Sequence, residues 1–135
     1  MLRHGLLVLK QTLYFSAGWL INKYMTDKEY CLYFRKGGYC NPQCYEDAKT
    51  VFYLPINSKD KKKWIHPTIK PLSIIRTLIR NISKEGDLVL DCFLGSGTTA
   101  VASILEKRNY IGIELNKKYY DISIQRINEI KECDK

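Results

Sequence analysis

From Asp91 to Ala100 the chain runs Asp-Cys-Phe-Leu-Gly-Ser-Gly-Thr-Thr-Ala, a glycine-rich turn between a short apolar run and a helix-forming stretch. Gly95, Gly97 and Ala100 stand at the G-x-G-x-x-A spacing of nucleotide-binding loops. Glycines there let the chain turn sharply and let a ligand approach the backbone. The helix beyond offers amide N–H groups that have no intrahelical acceptor, a site suited to an anion. That anion is a methionine carboxylate if the ligand is S-adenosylmethionine (SAM), or a pyrophosphate if it is NAD. Glu114 follows Asp91 by 23 positions, near the ~20-residue offset at which a carboxylate at a strand end holds ribose hydroxyls. Its two oxygens can accept both hydroxyl hydrogens. The plainer reading of Glu114 is an exposed carboxylate closing a strand. By type and spacing alone these residues indicate a nucleoside-bearing cofactor on an α/β fold.

The elements that must position them are legible from Pro71 onward. Pro71 suits the first turn of a helix, where its missing N–H costs nothing. Leu72, Ile75, Leu78, Ile79 and Ile82 follow at three- and four-residue steps and form one apolar stripe. Gly86 is the expected stop. Leu88-Val89-Leu90 predicts a short buried strand ending at Asp91, and the loop then opens a helix over Thr98–Lys107. Tyr110–Ile113 predicts the next buried strand, ending at Glu114. Asn116 is placed to cap a last helix, with Tyr119, Tyr120, Ile122, Ile127 and Ile130 on or near its inner face. Helix and strand in alternation predict a parallel sheet covered by helices. Before residue 60 the pattern is aromatic and poor in helical periodicity. Leu6–Tyr14 and Tyr30–Arg35 are expected strands, the second buried because Tyr30–Phe34 is almost wholly apolar. Gly37-Gly38 ends it, Asn41-Pro42 opens a loop, and Val51–Leu54 is an expected short strand closed by Pro55. Lys59-Asp60-Lys61-Lys62-Lys63 is an expected exposed loop, either simply solvated or in contact with DNA phosphates.

A chain of 135 residues is the size of one domain. Such a chain buries roughly 65–70% of its unfolded surface. Its net charge of +8 suits a polyanionic partner, since lysines and arginines that neutralise phosphates release condensed counterions. Ordinary solubility charge is the bland alternative. The five cysteines are odd in number and irregular in spacing, which argues against a secreted disulfide scaffold. Cys40 and Cys44 have no second Cys or His pair at ligand spacing, so no metal site is expected. The apolar run Leu6–Leu9 stops at Lys10, short of the ~20 residues that span a bilayer. No small-residue cleavage site follows it, and a reduced, cytoplasmic protein is expected.

One set of motifs narrows the choice of cofactor. His66-Pro67-Thr68-Ile69-Lys70-Pro71, the helix, Asp91–Thr99 and Gly112-Ile113-Glu114-Leu115 together resemble the DNA N6-adenine and N4-cytosine amino-methyltransferases. The likeness is to the permuted group whose catalytic motif lies upstream of the cofactor motif. It covers about residues 64–130, and Glu29–Gly38 is similar to a segment between the two motifs. The resemblance implies a Rossmann-like SAM-dependent methyltransferase fold and SAM as cofactor. It also implies double-stranded DNA as substrate; a restriction enzyme beside it leaves no mark in this sequence. By the same resemblance Gly95, Ser96, Gly97 and Thr98 bind the methionyl end of SAM. Phe93 lies by the cofactor, Asp91 orients the loop and the amino group, and Glu114 takes the ribose. Thr68 and Lys70 reach the carboxylate from the opposite side, Lys70 as a cation; its plain alternative is a surface lysine. Cys92 departs from the family, which usually has proline there, and this changes loop stiffness more than chemistry.

No catalytic residue is assigned. The family grips the flipped base with Asp, Asn or Ser followed by Pro-Pro-Tyr, or a close variant. This chain has prolines only at 42, 55, 67 and 71, with no Pro-Pro pair. Asn41-Pro42-Gln43-Cys44-Tyr45 is a faint echo on the wrong side of Phe34–Gly38. The expectation is therefore an incomplete fold, the C-terminal portion of a longer methyltransferase. Residues 1–60 form a partial catalytic and target-side region, and residues 61–135 form the SAM-binding α/β region. Such a portion is expected to be inactive alone and to associate through surface its missing part would cover, with itself or with that segment. The rival readings are a DNA-binding module without chemistry and an NAD-binding oxidoreductase domain.

Overall fold

The computed structural model describes residues 7–8, 30–34, 40–54, 58–64 and 69–133. The chain forms two compact units, Met1–Gly38 and Tyr39–Lys135. In the first, β1 (Leu7–Val8) pairs antiparallel with β2 (Leu32–Tyr33), Leu7 opposite Tyr33 and Val8 opposite Leu32. The remainder of the expected Leu6–Tyr14 strand lies outside the described residues. β2 is not the buried strand that its apolar run predicts: Tyr30, Leu32, Tyr33 and Phe34 are all exposed. A strand is buried on both faces only between two layers, and among the described residues this ladder has one neighbour and no covering layer.

The second unit contains α1 (Ser58–Trp64), α2 (Leu72–Ile82), β3 (Leu88–Asp91), α3 (Thr98–Leu105), β4 (Asn109–Gly112) and α4 (Lys117–Cys133). β3 and β4 run parallel, in register from Leu88 opposite Asn109 to Asp91 opposite Gly112. The crossover between them is α3, as a parallel pair requires. The predicted order of elements is therefore present, and this unit is a partial Rossmann-like α/β fold. Pro71 sits just ahead of α2 with extended backbone, and its carbonyl accepts the Ile75 N–H. The predicted stripe of α2 faces inward, with Ile75 and Ile79 buried. Ile75, Ile79 and Ala102 form one core cluster, joined by Leu72, Leu78 and Val89. Leu94, Ala100, Val101 and Ile127 form a second, with Tyr110, Ile104, Leu105 and Ile130 around it.

Four local expectations are corrected. Lys59–Lys63 belongs to a helix, not a loop; lysine is a good helix former, and Lys63 is anchored to Glu129 of α4 at 2.8 Å. Val51–Leu54 has no regular structure, because no strand lies beside it among the described residues to complete a ladder. α2 stops at Ser83 rather than at Gly86: the Ser83 N–H and hydroxyl both donate to the Ile79 carbonyl, at 3.1 and 2.6 Å. Finally, the parallel strands are covered on one face only among the described residues. Val89 and Tyr110 point to the helices, whereas Leu88, Leu90, Ile111 and Ile113 are exposed on the other face. Alternation along a strand is what divides the two sets.

Ionic and polar contacts secure the segment before α1. Asn81 of α2 receives the Asn41 N–H on its carbonyl (2.8 Å) and donates its side-chain amide to the Asp47 carbonyl (2.7 Å). Arg80 spans Asp47 and Glu106, and Arg76 also reaches Glu106, at 2.6 Å. Among the described residues no helix is long and apolar enough to cross a membrane.

Candidate cofactor site

The loop after β3 is shaped by its own residues. Asp91 Oδ1 accepts the Phe93 N–H at 3.0 Å, turning the chain as it leaves the strand. Leu94 donates to the Ile113 carbonyl and accepts from Gly97 N–H, both at 2.9 Å, so the turn is tied to the end of β4. Phe93 is 86% exposed and Leu94 is buried, so the loop holds one apolar side chain in the core and presents the other to solvent.

Glu114 stands just past β4, beside that turn. Its Oε2 accepts the Gly95 N–H at 2.8 Å and its Oε1 accepts the Asn116 N–H at 2.8 Å. The carboxylate is thus fixed by two backbone donors. An ionised carboxylate has about four lone-pair positions, so two acceptor positions remain for a ligand diol. Asn116 caps α4 as its position predicts, its Oδ1 accepting from Lys118 N–H (3.0 Å) and Tyr119 N–H (3.4 Å).

Gly97 precedes α3 in the left-handed region, and no side chain caps the helix. There is also no acidic residue in its first turn. The first-turn amides and the positive end of the helix dipole are therefore not met by a carboxylate of the helix's own first turn. The hydroxyls of Ser96 and Thr98 are buried and turned to Arg126 of α4. Thr98 Oγ1 also lies 3.5 Å from the Lys70 carbonyl, which brings the Lys70 backbone against the start of α3. Of the predicted site residues, Lys70, Asp91, Phe93, Gly95, Ser96, Gly97, Thr98 and Glu114 come together around this turn; Thr68 lies outside the described residues.

Sequence reasoning missed Arg126. Its Nη1 donates to the Ser96 carbonyl at 2.7 Å and contacts the two hydroxyls at 3.0 and 3.1 Å. Burial pushes its pKa below the usual arginine value, while the Asp60 and Glu129 carboxylates push it back up. One signal was present: Ser123, Arg126 and Ile130 share a face at helical spacing, which puts polar residues where an apolar stripe belongs.

A family model described as DNA methylase matches residues 11–125. The chain belongs to this N6/N4 DNA methylase family. A type II methyltransferase of Moraxella bovis, M2.MboI, is 42% identical over 86 residues, which are 63% of this chain and 32% of that protein. The type II methyltransferase M.MjaI of Methanocaldococcus jannaschii is 36% identical over 139 aligned positions, 87% of this chain and 45% of the relative. Among solved structures, a candidate DNA modification methylase from Thermus thermophilus, complexed with SAM, is 31% identical with a TM-score of 0.52. The match covers 90% of this chain and 51% of that one. The chain spans between 21% and 32% of the length of the first curated relatives. The fold is thus that of SAM-dependent DNA methyltransferases, in part. None of these relatives favours an oxidoreductase or a DNA-binding module without chemistry.

Proposed function

We propose that this chain binds SAM and forms the cofactor side of an enzyme that methylates an exocyclic amino group in DNA, N6 of adenine or N4 of cytosine. The observation that carries the proposal is the union of two strand ends. Glu114, after β4, is bonded to Gly95 of the loop after β3, directly before a helix N-terminus that has no side-chain cap. A ligand spanning that junction meets a carboxylate at one end and unsatisfied amides at the other, and SAM carries a ribose diol and a carboxylate to match. Bound there, SAM supplies a methyl group on a sulfonium. Glu114 holds the ribose, and the turn from Gly95 to Thr98 holds the methionyl carboxylate through the amides that open α3, since the two hydroxyls and the Gly95 and Gly97 N–H groups are engaged elsewhere. In this reading Thr68 and Lys70 of the His66–Pro71 motif serve the carboxylate, and Phe93 offers an exposed ring beside the turn. Asp91 keeps the turn's shape.

Residues 61–135 take the cofactor role in this reading, and residues 1–60 belong to the target side. The motif that grips the base is not within residues 1–135, so the chain is inactive alone and acts with a further segment that supplies it. The exposed face of Leu88, Leu90, Ile111 and Ile113 suits such a cover. Double-stranded DNA is the substrate, the cytoplasm the setting, and a restriction enzyme the natural counterpart.

Calorimetric titration of the full chain with SAM, and separately with NAD, tests the proposal. SAM is expected to bind and NAD to leave no heat. Glu114→Ala removes charge-assisted hydrogen bonds to the ribose and to Gly95, and is expected to weaken SAM by roughly 10- to 100-fold. Binding of NAD, or full SAM affinity in Glu114→Ala, would sink this reading.

A further inference from the structure

A buried cation behind the glycine turn has no part in the proposal so far. Arg126 is 6% exposed and lies on the inner side of α4. A guanidinium only donates, so every close oxygen must be an acceptor. Three oxygens within reach of its Nη1 come from the turn that opens α3: the Ser96 carbonyl, Ser96 Oγ and Thr98 Oγ1. Its other side faces the Trp64 ring, whose centroid is 5.9 Å from Cζ. The Asp60 and Glu129 carboxylates lie near enough to favour its charge. Arginine keeps its proton at neutral pH even when burial opposes it.

A buried charge is costly unless its donors are met, and apolar replacements of buried ionic groups are often as stable or more so. The placement of this one is therefore informative. It holds the Ser96 carbonyl and both hydroxyls on the α4 side of the turn. The Ser96–Gly97 peptide is thereby held at its carbonyl oxygen and Thr98 at its hydroxyl, at the point where the chain enters α3. A positive charge in a water-poor setting also acts over a longer range than one at the surface. It stands behind a helix end that is already positive.

We infer that Arg126 is a positioning residue for the anionic end of the ligand, fixing the Ser96–Thr98 turn from behind and favouring a carboxylate in front of it. The inference rests on the SAM reading for the identity of that carboxylate. It makes a prediction that a merely structural arginine does not. Loss of Arg126 is felt by the amino-acid half of SAM and not by the adenosine half held at Glu114. 5′-Methylthioadenosine, which keeps the adenosine and lacks the carboxylate, separates the two.

The experiment uses the full chain with Arg126→Met, which keeps much of the bulk, and Arg126→Lys, which keeps the charge and fewer hydrogen bonds. SAM affinity is expected to fall about tenfold or more in Arg126→Met, with 5′-methylthioadenosine affinity unchanged. Arg126→Lys is expected to show a smaller loss with the same selectivity, and it carries the test alone if Arg126→Met does not fold. Equal losses for both ligands, or no loss for SAM, overturn the inference. If the unaltered chain binds neither ligand, the SAM reading fails and the positioning role is judged without ligand. Amide hydrogen exchange at Ser96–Thr99 should then speed up about tenfold in Arg126→Lys while β3 and β4 are unchanged. Unaltered exchange at those amides overturns it.

Discussion

Gly97→Val is expected to abolish detectable SAM binding and to lower the melting temperature of the chain by roughly 10–20 °C. Two independent costs combine at this residue. Its φ of +81° lies where a β-branched side chain is strained, at about 1–3 kcal/mol. A Cβ built there would also stand 2.8 Å from Ser123 Cβ and 3.1 Å from Ser123 Cα. The obstacle is largely the backbone of α4, which cannot rotate aside, so relief requires α3 and α4 to move apart. Overpacking of this kind costs typically about 1–3 kcal/mol. Movement of α3 displaces the turn whose amides face the proposed carboxylate. Gly86→Val is the matched control, with φ of +82° and nothing within 4 Å of the added Cβ. It should carry the strain alone and leave SAM binding intact. Equal melting shifts in the two variants would show that the close approach to Ser123 does not matter.

Glu106→Ala is expected to destabilise the chain by about 3 kcal/mol, read by urea or thermal unfolding, without a specific effect on ligand affinity. Glu106 is 8% exposed and its Oε1 takes both Arg76 Nε (2.6 Å) and Arg80 Nη1 (3.1 Å). It closes α3, and the two arginines belong to α2, so the interaction fastens the two helices that frame the cofactor turn. The estimate sits at the low end of the range for a broken buried pair because Arg76 and Arg80 side chains are 39% and 32% exposed. They regain water when the carboxylate is removed. Arg80 also holds Asp47, so some loosening of the Asn41–Ala48 segment should accompany the change. Arg76→Met, which removes the more exposed partner, should cost under about 1 kcal/mol. A Glu106→Ala shift no larger than that would reduce the cluster to surface decoration.

The sequence by itself determined the order of elements from Pro71 to the end, the glycine turn, and the pairing of that turn with a carboxylate after the next strand. It also determined the cap at Asn116. All of these are local: helical and strand periodicity, turn chemistry and capping act within a few residues, so residue type and spacing are enough to expose them. Tertiary structure decided the rest. Apolar runs at Tyr30–Phe34, Leu88–Leu90 and Tyr110–Ile113 promised buried strands, yet half or more of their side chains are exposed. Periodicity shows that a strand exists and cannot show how many layers cover it. Arg126 reads as one more charge on a basic helix, and only the approach of α4 to the turn 30 residues earlier makes it a buried donor. Glu106 likewise finds Arg76 at a separation of 30. That the Ser96 and Thr98 hydroxyls meet this same arginine is also a tertiary outcome. Contacts across such distances depend on how helices pack, and helix packing follows from shape and burial summed over the whole unit rather than from any local pattern.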